Sequence, residues 1–177
     1  MTDYSKCTIT RYPTPVLLER AKPVEVFDEN LRVLAERMIE IMVETCGVGL
    51  AGPQAGVNLR IFVASIDGTK ENARVYINPA IKVEGPIVSS EEGCLSLPGL
   101  SGKIKRFAKC TVTAQDLDGS EFTETGEGLQ ARIYQHEHDH LEGRMIKDRL
   151  GAAAKIRAKR RLKQLEEEYK QTRDENS

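Results

Sequence analysis

All three histidines of this 177-residue chain fall within five residues, in the segment Gln135-His136-Glu137-His138-Asp139-His140. On a helix, His136 and His140 are one turn apart, about 6 Å along the axis at 1.5 Å per residue. Their imidazoles then project in the same direction and can share a metal ion. Glu137 lies about 100° around the helix from His136. It is too close in sequence to be an easy third ligand, but it can reach a water bound to that metal. This is the HExxH pattern of hydrolytic metal sites, two ligands and one general base. The competing reading is a solvated helix that carries these residues by chance. Leu129 and Ile133, at helical spacing upstream, are expected to put the histidines on a buried face, where unpaired imidazoles are costly. His138 points away and reads as a surface or supporting residue. Asp139 reads either as a hydrogen-bond partner that orients a ligand or as a solvent-facing charge.

Two imidazoles fall short of the three protein ligands typical of catalytic zinc. The rest of the chain must supply a cysteine or a carboxylate. Glu142 is too near the motif, and the acidic run 166–168 sits in a highly charged stretch. The cysteines are Cys7, Cys46, Cys94 and Cys110, with no CxxC pair. A lone cysteine is normally a small buried hydrophobe. That suits Cys110, which alternates with apolar neighbours in a strand-like run. Cys94 is instead bordered by Gly93 and the turn former Pro98-Gly99, a context for close backbone approach rather than packing.

The remaining pattern implies one α+β domain. The stretch 11–27 carries three prolines and reads as extended chain with turns. Asp28 or Asn30 caps an amphipathic helix marked by Leu31, Leu34, Ala35, Met38, Ile41 and Met42, ending near Cys46 and Gly47. A glycine-rich loop follows. Strands are predicted over 60–66, 75–77, 80–88 and 107–115 and around 121–125, with a hairpin turn at Asp118-Gly119. Helices are predicted over 126–141 and 151–173. The net charge of −1 gives no global attraction to nucleic acid or anionic membrane. No apolar run approaches the roughly 20 residues that span a bilayer, and the first ten residues lack a signal-peptide pattern. The expectation is a cytoplasmic protein with free thiols and no DNA or membrane partner.

Three segments in register resemble the signature set of peptide deformylases. They are Gly47-Val48-Gly49-Leu50-Ala51-Gly52-Pro53-Gln54, then Glu92-Gly93-Cys94-Leu95-Ser96, then Gln135-His136-Glu137-His138-Asp139-His140-Leu141-Glu142-Gly143. The likeness covers roughly residues 8–150, read as the catalytic domain 1–150, with 151–177 a charged C-terminal helix and tail. The resemblance implies antiparallel β-sheets packed around a central motif helix. It implies Cys94, His136 and His140 as metal ligands and Glu137 as the acid/base residue. It implies Gln54 and the Leu95 N–H as donors to the formyl oxygen of an N-formylmethionyl nascent peptide. Val48, Gly49, Gly93, Leu129 and Ile133 become candidates for peptide and methionine contact, with core packing as the alternative for Val48, Leu129 and Ile133. Fe2+ is the implied metal, with zinc, nickel or cobalt able to occupy the site.

Three positions depart from the family pattern. Gly52 replaces a common alanine and implies a less rigid loop. Cys46 stands where an acidic residue is common. Ser101 stands where many bacterial members have a peptide-holding arginine. Arg106 is a candidate partner for Glu92, bracing the Cys94 loop. The basic residues Lys155, Arg157, Lys159, Arg160, Arg161 and Lys163 read as a solvated helix face or as a ribosome-docking surface near the peptide exit. Two rival functions remain, a general metallopeptidase and a metal-stabilised ribosome-binding protein without turnover.

Overall fold

Asp28 opens the first long helix, α1 (Glu29–Glu44), by accepting the Leu31 N–H at 3.0 Å. The structure, a computed structural model, describes residues 3–175. Leu31, Leu34, Ala35, Met38, Ile41 and Met42 are all buried, as their 3.6-residue period requires. The helix stops at Thr45, whose hydroxyl donates to the Ile41 carbonyl, and Cys46 follows in the left-handed region at φ 53°.

Five strands form one antiparallel sheet in chain order. They are β1 (Gly49–Ala51), β2 (Ile61–Ala64), β3 (Arg74–Gly93), β4 (Ser101–Gln115) and β5 (Glu121–Glu127). The α+β class is as expected. β2 is buried on both faces because its side chains alternate. Ile61 and Val63 pack with α1, while Phe62 and Ala64 pack with α2 (Gly128–Leu141). Gln135 pins α2 to the sheet. Its Oε1 accepts the Phe107 N–H at 3.1 Å and its Nε2 donates to the Phe107 carbonyl at 2.9 Å.

The sequence predicts separate strands at 75–77 and 80–88, but the structure has one strand of 20 residues. The Asn78-Pro79 and Gly85-Pro86 steps that look like breaks are shifts of register against β4. Proline has no N–H to pair, and Asn78 at φ 50° and Gly85 at φ 81° absorb the irregularity. β4 likewise starts at Ser101, where it pairs with Gly93 and carries the ladder to the edge of the Cys94 loop.

A short helix, α3 (Ile146–Arg149), leads into α4 (Ala152–Glu175). The expectation of a solvated final helix holds for only one face. Ala154, Ala158, Leu162 and Leu165 form an apolar stripe within the charged sequence. Ala158 and Leu165 are buried against Leu17, Leu97, Leu100 and Leu150. Among the described residues, no helix is long and apolar enough to cross a membrane.

Candidate metal centre and active site

β3 delivers Cys94 just past its last residue, and α2 carries both histidines. Cys94 Sγ lies 3.4 Å from His140 Nε2, which lies 3.2 Å from His136 Nε2, and all three atoms fall within 4.8 Å of one another. Bonds of about 2.05 Å to nitrogen and about 2.3 Å to sulfur, at tetrahedral angles, put such donors about 3.3 and 3.6 Å apart. The three side chains fit one cation. Electrostatics agree. Burial opposes a positive charge on His136, but its hydrogen bonds with Cys94 and Glu92 outweigh burial and push its pKa up to about 10. Burial, then the His136 and Arg106 charges, hold His140 well below its usual value. The pocket thus favours a positive charge between thiol and carboxylate, a preference a bound cation satisfies with both rings neutral.

Glu92 Oε2 sits 3.0 Å from His136 Nδ1, which leaves Nε2 to face His140 and would orient it toward a shared cation. The expected Arg106–Glu92 brace is present and fully buried. Arg106 Nε and Nη2 donate to the two Glu92 oxygens at 2.8 and 2.9 Å, and Nη1 donates to Asp139 Oδ2 at 2.7 Å. Arg132 also donates to Glu92 Oε1 and to the Ile104 and Val88 carbonyls. Burial opposes the Glu92 charge, but hydrogen bonds from His136 and Arg106 outweigh it and hold the carboxyl well below the usual range. Asp139 matches neither of its expected readings. It touches no ligand and is buried, held between Arg106 and Arg149. His138 faces away from the cluster, 3.1 Å from Arg60 Nη2.

Glu137 is buried, and desolvation pushes its pKa up to about 7. Its Oε2 has no hydrogen-bond partner, an unusual state for a buried carboxylate oxygen outside a working site. Its Oε1 presses on Gly49, where a Cβ would fall 2.4 Å away. Gln54 is also buried. Its Oε1 accepts the Ala51 N–H at 2.9 Å, which turns Nε2 to within 3.6 Å of Cys94 Sγ. The Leu95 N–H has no acceptor among the described residues. A groove of about 840 Å³ joins these groups, and Val48, Gly49, Gly93, Leu129 and Ile133 all line it. Leu129 differs from expectation. It is 51% exposed at the groove mouth, so of the two apolar residues only Ile133 helps bury the histidines.

The polypeptide deformylase family model matches residues 6–155. The chain belongs to that family. A peptide deformylase of Acidobacterium capsulatum is 43% identical over 161 residues, 89% of this chain and 94% of the relative. Peptide deformylase 1B, chloroplastic, of Oryza sativa is 36% identical over 93% of this chain, but the chain spans only 62% of that relative's length. A crystal structure of Arabidopsis thaliana peptide deformylase 1B superposes with a TM-score of 0.90 at 36% identity, covering 93% of each chain.

The structure places all three departures of this family member. At Gly52 the glycine answers to packing. It is buried, and a Cβ there would meet the Leu59 carbonyl oxygen at 2.6 Å. Ser101 donates to Glu91 Oε1 at 2.9 Å. Cys46 is exposed at the groove rim. Sequence reasoning did not single out Arg132 or Arg149. Arg132 stands four residues before His136, so helical spacing alone puts it beside a ligand. Arg149 reaches Asp139 only through the turn after α2, and no local pattern signals that return.

Proposed function

We propose that this chain removes the N-formyl group from N-formylmethionyl nascent polypeptides, releasing formate, by metal-dependent hydrolysis. The observation that carries the reading is the convergence of Cys94, His136 and His140 on one point, with Glu137 and the Gln54 amide facing the same groove. Cys94, His136 and His140 would hold a divalent cation, which when bound would supply an activated water and polarise the formyl carbonyl. Glu137 takes the water's proton and returns it to the departing amine. Gln54 Nε2 and the Leu95 N–H donate to the formyl oxygen as it gains charge, a contribution of about 3–4 kcal/mol per donor in comparable sites. β1 pairs on one side only, with β2, so its other edge is open to an extended peptide. Val48, Gly49 and Gly93 flank that peptide, and Leu129 and Ile133 receive the methionine side chain.

Thiolate with two imidazoles suits Fe2+ or Zn2+, with nickel or cobalt as substitutes. Fe2+ is the metal we assign, and the free cysteines accord with a reducing compartment such as the cytoplasm. The outward residues Lys155, Arg157, Lys159, Arg160 and Lys163 are all exposed and form the surface we assign to ribosome docking. Reversing Lys159 and Lys163 to Glu should weaken co-sedimentation with ribosomes at low salt. Unchanged sedimentation would remove that partner.

The decisive experiment measures formate from a formyl-Met peptide, using protein purified anaerobically with Fe2+, alongside metal analysis. Acetyl-Met and internal-amide peptides serve as controls. Formate from the formyl substrate alone supports the reading. Cleavage of internal amides would make the chain a general peptidase. Full metal content without turnover would make it a binding protein.

A further inference from the structure

The loop 94–100 carries both Cys94 and the Leu95 amide, and it is held in a closed ring of contacts that runs through the C-terminal helix. The Tyr12 N–H donates to the Ser96 carbonyl at 2.9 Å. The same residue's hydroxyl donates to Glu166 Oε1 on α4 at 2.7 Å. Five residues earlier on α4, Arg161 Nε donates to the Pro98 carbonyl at 2.7 Å, and Glu168 holds the guanidinium from the other side at 3.0 Å. Gly99 at φ 78° leaves room for this approach, since a Cβ there would lie 3.2 Å from Arg161 Nε. Leu97 and Leu100 close the ring by packing into the apolar stripe of α4, with Cys94 at the margin of the same cluster.

We propose that α4 is a clamp on the 94–100 loop, with Tyr12 and Arg161 as positioning residues that set how firmly the Cys94 thiolate and the Leu95 amide are held. The inference rests on the metal-site reading above but places part of the site's control in a helix that lies almost wholly beyond the family match at 6–155. A loop fixed only by its own turns, Leu97 N–H to Cys94 carbonyl and Leu100 N–H to Leu97 carbonyl, would let the thiolate swing away from the two rings. Partners that orient a ligand from outside the coordination shell typically change metal affinity 10–100-fold.

The test loads the full chain with Co2+ and follows its loss to a chelator, using the thiolate-to-cobalt absorption as the signal. Arg161→Ala and Tyr12→Phe should each release Co2+ about tenfold faster than wild type, with weaker thiolate absorption. Gln164→Ala, on the exposed face of α4, should match wild type. Deformylation by the two variants should lose kcat more than it gains KM. Melting of the metal-free proteins separates positioning from general stability, and Tyr12→Phe is the gentler change should Arg161→Ala fold poorly. Release within twofold of wild type in Tyr12→Phe and in folded Arg161→Ala overturns the clamp while leaving the deformylase reading intact. A wild-type chain that binds no Co2+ overturns both.

Discussion

Glu92 meets His136 Nδ1 at 3.0 Å while Arg106 grips both oxygens of the same carboxylate. One buried arginine therefore aims the His136 ring, which it does not touch. Arg106→Lys keeps the charge but loses the planar fork that bonds Glu92 and Asp139 together. It should lower metal affinity by about 10–100-fold, read by competition with a chelator. Arg106→Ala removes the cation shared by two buried carboxylates, leaving Glu92 to Arg132 and His136 and Asp139 to Arg149, and should cost about 3–5 kcal/mol of stability, read by denaturant titration.

Glu137→Gln preserves shape and removes the base. Turnover should fall by about 100-fold or more while metal content stays at the wild-type level. The carboxyl must be ionised to accept a proton, and burial pushes its pKa up to about 7. A divalent cation nearby favours the carboxylate and draws that value down. In wild type, kcat/KM should therefore rise with pH to a plateau, with its midpoint below about 7, and the Gln variant should lack this limb. A flat profile in wild type would remove Glu137 from the proton transfer.

Acid should dismantle the same region. Glu92 and Asp139 have folded pKa values below their ordinary 4.5 and 3.8, because their arginine and histidine partners outweigh burial. Depressed carboxyls contribute stability above their unfolded pKa and lose it as pH falls through the folded one. Stability should drop steadily below about pH 4.5, and the drop should shrink in Arg106→Ala. Equal acid sensitivity in the two proteins would show that these pairs are not its source.

Much of the site was legible because its chemistry is local in sequence. HExxH spacing puts His136, Glu137 and His140 on one helix with the two rings able to share a cation, and the cap at Asp28 with its apolar repeat fixes α1. The loop residues were harder. Cys94 stood out through its glycine and proline neighbours and through the family resemblance of the segment 92–96. The network that joins buried Glu92, Arg106 and Asp139 to Arg132 and Arg149 spans four elements, and burial of an arginine such as Arg106 is a property of the assembled core rather than of any window. The long β3 was read as two strands for a related reason. Proline marks a break in the hydrogen-bond ladder, but only pairing with β4 shows that the ladder resumes.

Glycines at the site separate packing from catalysis. Gly52→Ala puts a methyl 2.6 Å from the Leu59 carbonyl oxygen, and overpacking of this kind costs about 1–3 kcal/mol. It should lower the melting temperature and spare turnover per folded molecule. Gly49→Ala instead drives a methyl into Glu137 Oε1 and should depress kcat in protein that still binds metal. Normal kcat in Gly49→Ala would mean that Glu137 has room to move without consequence.

Charge selection along the peptide should depend on Arg11. It lines the active-site groove, is exposed, and its guanidinium has no partner among the described residues. Arg132, the other cation of that groove, is committed to Glu92 and two carbonyls. With Ser101 donating to Glu91, Arg11 is the side chain free to meet an acidic group downstream of the methionine. Exposed pairs are worth about 0.2–1 kcal/mol, so the expected preference for Glu over Lys in matched formyl-Met peptides is a few-fold in kcat/KM. Added salt should shrink it, since exposed charges are screened over about 8 Å at physiological ionic strength. Arg11→Glu should reverse the preference through KM while kcat stays near wild type. Equal Glu-to-Lys ratios in the two proteins, at each of the first three positions after methionine, would exclude Arg11 from peptide recognition.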